Sequence, residues 1–226
     1  MACCGYNDPE GLDRLLQSCY RYVDLFLYVD GPFRDYGDSK QQTIEEETKK
    51  ILRKYPNVVY NHASGLLEHD KRQQYLDACE KYDIKTVIVV DTDEYFHPDS
   101  DWEAFAEEKA RVCNDRDHLY NIKNYTEIGE GLLLPLDQPR IIRHPEMVHY
   151  LKHHYQLAIN GTEEAITAKT GLYSIKLCHD PHLRTQERKD AHDQYKRWLK
   201  RYEAKCILKE TDIEKENRLR CVVSGN

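Results

Sequence analysis

The chain has 226 residues, with 40 acidic and 33 basic side chains and a formal net charge of -7. That length suits one α/β domain with a real core, and the acidic balance argues against the basic face that nucleic-acid binding requires. No apolar run reaches the roughly 18–20 residues needed to cross a bilayer, and the eight cysteines show neither a CxxC pair nor zinc-ligand spacing, so they read as small apolar residues in a reducing, cytoplasmic compartment.

Residues 1–6 form a short apolar stretch, with Gly5 closing a short strand before the loop Asn7-Asp8-Pro9. Pro9 fits a first helical turn, and Leu12, Leu15, Leu16 and Cys19 follow at helical spacing. Residues 23–29 form a buried-strand pattern stopped by Asp30-Gly31-Pro32. A helix is expected over 43–54, a short strand over 58–60 and a helix over 70–82. Residues 86–90 (Thr-Val-Ile-Val-Val) are continuous and β-branched, the strongest strand signal in the chain. They run directly into Asp91-Thr92-Asp93-Glu94-Tyr95, and a helix over 101–111 follows. This β-α-β-α-β-α-β order argues for a mostly parallel central sheet flanked by helices. Beyond it, residues 119–128, 132–136, 140–143 and 147–157 read as shorter strands and loops. A strand over 172–177 ends at Cys178-His179-Asp180-Pro181, and residues 186–204 form a charged helix. Residues 205–226 read as a polar tail or the start of a further segment of a longer polypeptide.

Ligands of open parallel sheets bind at the carboxyl ends of the strands. Two acidic stops lie there: Asp30 after the second strand, and Asp91 with Asp93 after the central one. Carboxylates are hard oxygen ligands for Mg²⁺ or Mn²⁺, and a metal held by only one or two of them keeps positions open for substrate phosphates. The competing reading of an Asp-x-Asp after a strand is a turn or a helix cap.

The stretch Val87-Ile88-Val89-Val90-Asp91-Thr92-Asp93-Glu94-Tyr95 resembles the DxDE-plus-aromatic signature of family 2-like glycosyltransferases with the GT-A fold. The segments Tyr6-Asn7-Asp8-Pro9-Glu10-Gly11-Leu12, 23–31 and 70–78 are similar to that family in order and spacing, so the likeness covers about residues 1–100. Farther on, Pro139-Arg140-Ile141-Ile142-Arg143 and Leu177-Cys178-His179 resemble its later motifs more loosely. The resemblance implies one GT-A domain over 1–204, a Rossmann-like nucleotide-sugar half over 1–100 and a loop-rich acceptor half over 101–204. It implies Asp93 as a direct metal ligand and Asp91 as a ribose contact or a water-mediated ligand, with His179 as a third ligand. Cys4, Tyr6, Asp8, Asp30, Lys71, Arg72 and Thr92 fall at positions that contact the nucleotide. Asp30 would accept from the base, and Lys71 or Arg72 would meet the base or a phosphate.

The implied activity is transfer of a hexosyl or deoxyhexosyl group from a nucleotide-sugar, UDP-linked by default, to a hydroxyl of a glycan or glycoconjugate acceptor with inversion. The cofactor is Mn²⁺ or Mg²⁺. Inversion needs a base for the acceptor hydroxyl. Similar enzymes carry a His-Glu pair after the Pro-Arg strand, whereas this chain reads Lys152-His153-His154-Tyr155-Gln156. That departure leaves the base among Glu127, Glu130, Asp137, His153 and His154, with Glu130 and His154 carried forward as candidates. Alternatives are a nucleotidyltransferase, for which Gly5-Tyr6-Asn7-Asp8 lacks the Gly-rich phosphate loop, and a non-catalytic nucleotide-sugar-binding module.

Overall fold

A computed structural model describes residues 1–6, 8–34, 45–114, 116–127, 133–151 and 156–179, together with positions 190, 193, 197, 200 and 201. The chain begins with β1 (Ala2–Gly5), buried throughout. Helix α1 (Pro9–Cys19) follows, with Pro9 in its first turn and the Asp8 carboxylate accepting from the Gly11 N–H at 3.0 Å. That bond satisfies one of the open amides every helix start leaves. Strand β2 (Phe26–Asp30), helix α2 (Glu46–Leu52) and strand β3 (Val58–His62) come next. Helix α3 (Glu68–Lys81) leads to β4 (Thr86–Asp91). A three-residue strand, β5 (Glu94–Phe96), precedes α4 (Trp102–Val112). The remainder is β6 (Leu119–Glu127), β7 (Leu133–Arg143), β8 (Val148–Tyr150), β9 (Leu157–Ile159) and β10 (Lys169–His179).

Among the described residues eight strands form one sheet in the order β3-β2-β1-β4-β7-β6-β10-β5, and β8 pairs with β9 separately. The half built from β3, β2, β1 and β4 is parallel throughout. In the other half β10 runs parallel to β6, while β7 is antiparallel to both its neighbours and β5 to β10. The α/β expectation of a largely parallel, helix-flanked sheet therefore holds.

One sheet face packs Cys3, Tyr28, Val90, Ile122, Ile141 and Leu177 against Leu12, Leu15 and Leu16 of α1 and Phe105 of α4. The other packs Cys4, Val29, Val89 and Ile142 against Tyr75, Leu76 and Cys79 of α3 and the β8–β9 pair. Each fully buried Leu on α1 contributes about 1.5–3 kcal/mol, which sets that helix firmly beneath the loops at the strand ends.

Several boundaries differ from the sequence reading for physical reasons. Residues 132–136 and 140–143 look like two strands split by Pro139, yet β7 runs through it. The proline faces Asn121, next to a register shift between Tyr120 and Asn121, where a missing ladder donor is tolerated. The segment 147–157 resolves into β8 and β9. Strand β10 extends beyond 172–177 in both directions. Apart from the five positions named above, the expected helix 186–204 lies outside the described residues, as does the stretch 205–226.

Candidate active site at the strand ends

Register places the relevant carboxyl ends side by side. Gly5 is the partner of Asp30, and Cys4 is the partner of Asp91. The loop leaving β4 turns tightly over Gly5. A β-carbon there would collide with the Tyr28 hydroxyl and lie 2.8 Å from the Thr92 methyl. Gly11 at the start of α1 is pressed equally closely against the Thr92 carbonyl. Two small residues thus let β1 and α1 approach the Asp91–Asp93 turn, and Thr92 serves as its packing residue.

Around that turn the charges are paired. Arg72 of α3 donates from Nη2 to Asp91 Oδ1 at 2.9 Å and from Nε to Glu68 Oε1 at 3.1 Å. Arg140 of β7 reaches Asp91 Oδ2 at 3.4 Å and Glu94 Oε1 at 2.5 Å. Glu94 also accepts from Asn124 Nδ2 at 2.9 Å and from the Asp91 amide at 2.8 Å. Burial pushes the Glu94 carboxyl up to about 7, opposed by the Arg140 guanidinium and reinforced by Asp91 and Asp93.

Asp93, only 3% exposed, meets His179 of β10, with Oδ2 and Nε2 at 2.9 Å. The antiparallel register of β5 and β10 brings this about, because His179 is the partner of Glu94. At this distance the two groups are hydrogen-bonded to each other, and carboxylate and imidazole are both donor types that divalent metals take. Both oxygens of Asp91 are taken by guanidinium groups. Among the described residues no set of three His, Cys, Asp or Glu side chains is arranged to hold a metal. The donors that meet at this turn are the Asp93 carboxylate and the His179 imidazole.

The neighbouring strand end is built differently. Asp30 is 1% exposed and accepts from the Tyr28 hydroxyl at 3.1 Å. His62 Nδ1 lies 3.4 Å from its other oxygen, and His62 Nε2 is 2.7 Å from the Ser64 hydroxyl. Burial raises the Asp30 pKa, with the Lys71 charge, the Tyr28 hydrogen bond and His62 acting against that rise. Lys71 is wholly buried. Its ammonium donates to the Gly5 carbonyl at 2.7 Å and to the Gly31 carbonyl, with the Phe33 ring at 4.8 Å. Gly31, at φ 119, turns the chain so that this carbonyl faces inward. Lys71 thus clamps two strand ends together.

The other sequence candidates distribute as follows. Cys4 is buried, its sulfur 3.8 Å from the Lys71 carbonyl, and burial pushes its thiol up to about 11. Asp8 acts as the α1 cap, and Tyr6, two residues before it, is half-buried. Asp137 pairs with Lys123 at 2.7 Å. Strand alternation puts that pair on the opposite sheet face from Asn124 and Glu94, so Asp137 does not join the site. Glu127 ends β6, and Glu130, His153 and His154 lie outside the described residues. Sequence reasoning missed Asn124 and gave no role to Glu94 or Arg140. The signal for Arg140 was present in the Pro-Arg strand, whereas Asn124 carries no local signal.

No protein-family model matches this chain, and no curated protein does. Among solved structures it is similar to S. aureus TarS at 21% identity and a TM-score of 0.39, covering 58% of this chain and 22% of that one. It is also similar to 4-diphosphocytidyl-2C-methyl-D-erythritol synthase, at 12% identity and a TM-score of 0.41, over 65% of this chain and 75% of that one. HddC from Yersinia pseudotuberculosis aligns at 10% identity and a TM-score of 0.45, over 86% and 98%. The chain spans about a fifth of the length of TarS. At such scores these likenesses carry no argument about the reaction.

Proposed function

We propose that the chain is a metal-dependent glycosyltransferase that moves a sugar from a nucleotide diphosphate sugar, UDP-linked first, to a hydroxyl of a glycan or glycoconjugate. The observation behind this reading is the Asp93–His179 pair, 2.9 Å apart at the ligand-binding end of the sheet, beside the salt-bridged Asp91. Asp93 and His179 would hold a Mn²⁺ or Mg²⁺ ion, whose chemistry is Lewis-acid stabilisation of a leaving diphosphate. In the transfer itself, the bond from the anomeric carbon to the diphosphate breaks. The acceptor oxygen bonds to that carbon, and its proton passes to a base.

The chain's own groups prepare this end of the sheet. Arg72 and Arg140 fix Asp91 from two sides, and Lys71 holds the ends of β1 and β2 in register. Preorganised groups of this kind cost little reorganisation during reaction.

The test is incubation of the full chain with a panel of nucleotide-sugars and Mn²⁺, scored by release of nucleoside diphosphate. Metal-dependent release that EDTA stops and Mn²⁺ restores supports the transferase. Pyrophosphate exchange with a nucleoside triphosphate identifies a nucleotidyltransferase instead, and binding without release identifies a binding module.

A further inference from the structure

Glu94 stands out among the groups that touch neither the proposed metal nor the proposed donor. It is 2% exposed, and each of its carboxylate oxygens is used. One accepts the Asp91 amide, and the other accepts Asn124 and Arg140. Those partners lie at the end of β4 and on β6 and β7, while Glu94 itself opens β5. A buried carboxylate is costly unless it is paired and hydrogen-bonded. Here three donors from three strands meet that condition, and the reason for keeping the charge lies in what it holds in place.

Geometry supplies that reason. The turn Asp91-Thr92-Asp93 is closed at one end by the bond from the Asp91 amide to the Glu94 side chain. At the other end the main chain of Glu94 pairs with that of His179, whose imidazole meets Asp93, so a side chain that holds the turn also bears on the spacing of that pair. The same side chain orients Arg140, which in turn contacts Asp91. We infer that Glu94 is a positioning residue of the site, holding the Asp91 amide and Arg140 with its side chain, and through that turn the Asp93–His179 pair, without touching substrate. The inference rests on the reading of Asp93 and His179 as the working pair.

The test uses Glu94→Gln, which keeps size and loses charge, and Glu94→Asp, which keeps charge and shortens reach. Both are compared with the wild-type full chain by nitrogen NMR of the His179 ring and by hydrogen exchange of the Asp91 amide, without metal. In each variant the His179 nitrogen shifts are expected to move, and exchange at Asp91 to accelerate at least about tenfold. Mn²⁺ affinity, read by titration calorimetry, is expected to fall about 10- to 100-fold. Charge without reach should not rescue, so Glu94→Asp behaves like Glu94→Gln. Folded variants with wild-type nitrogen shifts and wild-type exchange overturn the inference, and so does failure of both variants to fold, because Glu94 would then be a structural residue only. If the wild-type chain binds no Mn²⁺, the metal reading fails, and the two metal-free measurements decide the role of Glu94 alone.

Discussion

The two acidic strand ends look alike in sequence and are unlike in structure. Asp30 closes β2 among a phenol, an imidazole and a lysine whose ammonium is bonded to backbone carbonyls. Asp91 closes β4 between two guanidinium groups, with Asp93 on an imidazole two residues on. The first arrangement leaves a carboxyl whose desolvation outweighs its charge compensation, and its pKa rises. In the second, a network of opposite charges spans three strands and a helix. A strand-end aspartate is therefore given its chemistry by its neighbours: Asp30 stands 3.4 Å from the His62 imidazole, whereas at the second cluster Asp93 is hydrogen-bonded to that of His179 at 2.9 Å.

Four measurements bear on that contrast. Removing the carboxylate in Asp93→Ala should lower metal-dependent turnover by about 10³-fold, the scale of one preorganised electrostatic contact. Release of nucleoside diphosphate measures it, and unchanged turnover takes Asp93 out of the chemistry. Because Asp93 is buried rather than exposed, this variant should also lose some stability. Arg140→Ala strands Glu94 in the core, where breaking a buried pair costs about 3–5 kcal/mol. Denaturant unfolding reads that loss, and a change under 1 kcal/mol would mean the Arg140–Glu94 bond is not formed in solution.

At the other strand end the effects should be smaller. Tyr28→Phe removes one hydrogen bond to Asp30 and should cost about 0.5–1.5 kcal/mol, leaving turnover at the Asp93 site within about twofold. A loss of turnover as large as that of Asp93→Ala would show that the two ends act as one site. The smallest effect is a pH slope. The folded Asp30 carboxyl holds its proton more readily than the unfolded one, so the folded state binds more protons across that interval. Its contribution to stability then declines as pH rises from the ordinary aspartate range through the raised value. Asp30→Asn should flatten that component of the unfolding free energy measured between acid and neutral pH, and an unaltered slope would assign it to another group.

Much of the first half was legible because its signals are local. The β-branched run of β4 and the helical spacing of Leu12, Leu15 and Leu16 lie within short windows. Asp8 capping α1 is equally local, although as a site residue Asp8 was read only through the family resemblance. The second half was harder. Residues 94–96 are too short to show a period, and Pro139 disguised one long strand as two.

By itself the sequence determined the α/β class, the element order through β4, and the placing of Asp30 and Asp91 at strand ends, because strand and helix periodicities and capping act over a few residues. The partners of those aspartates were decided only by the tertiary structure. Arg72 and Arg140 stand 19 and 49 residues from Asp91, and His179 stands 86 from Asp93. Bringing them together needs α3 laid across the sheet, β7 antiparallel to β4, and β10 returning beside β5. Such pairings follow from how whole faces bury, which no short stretch of chain records.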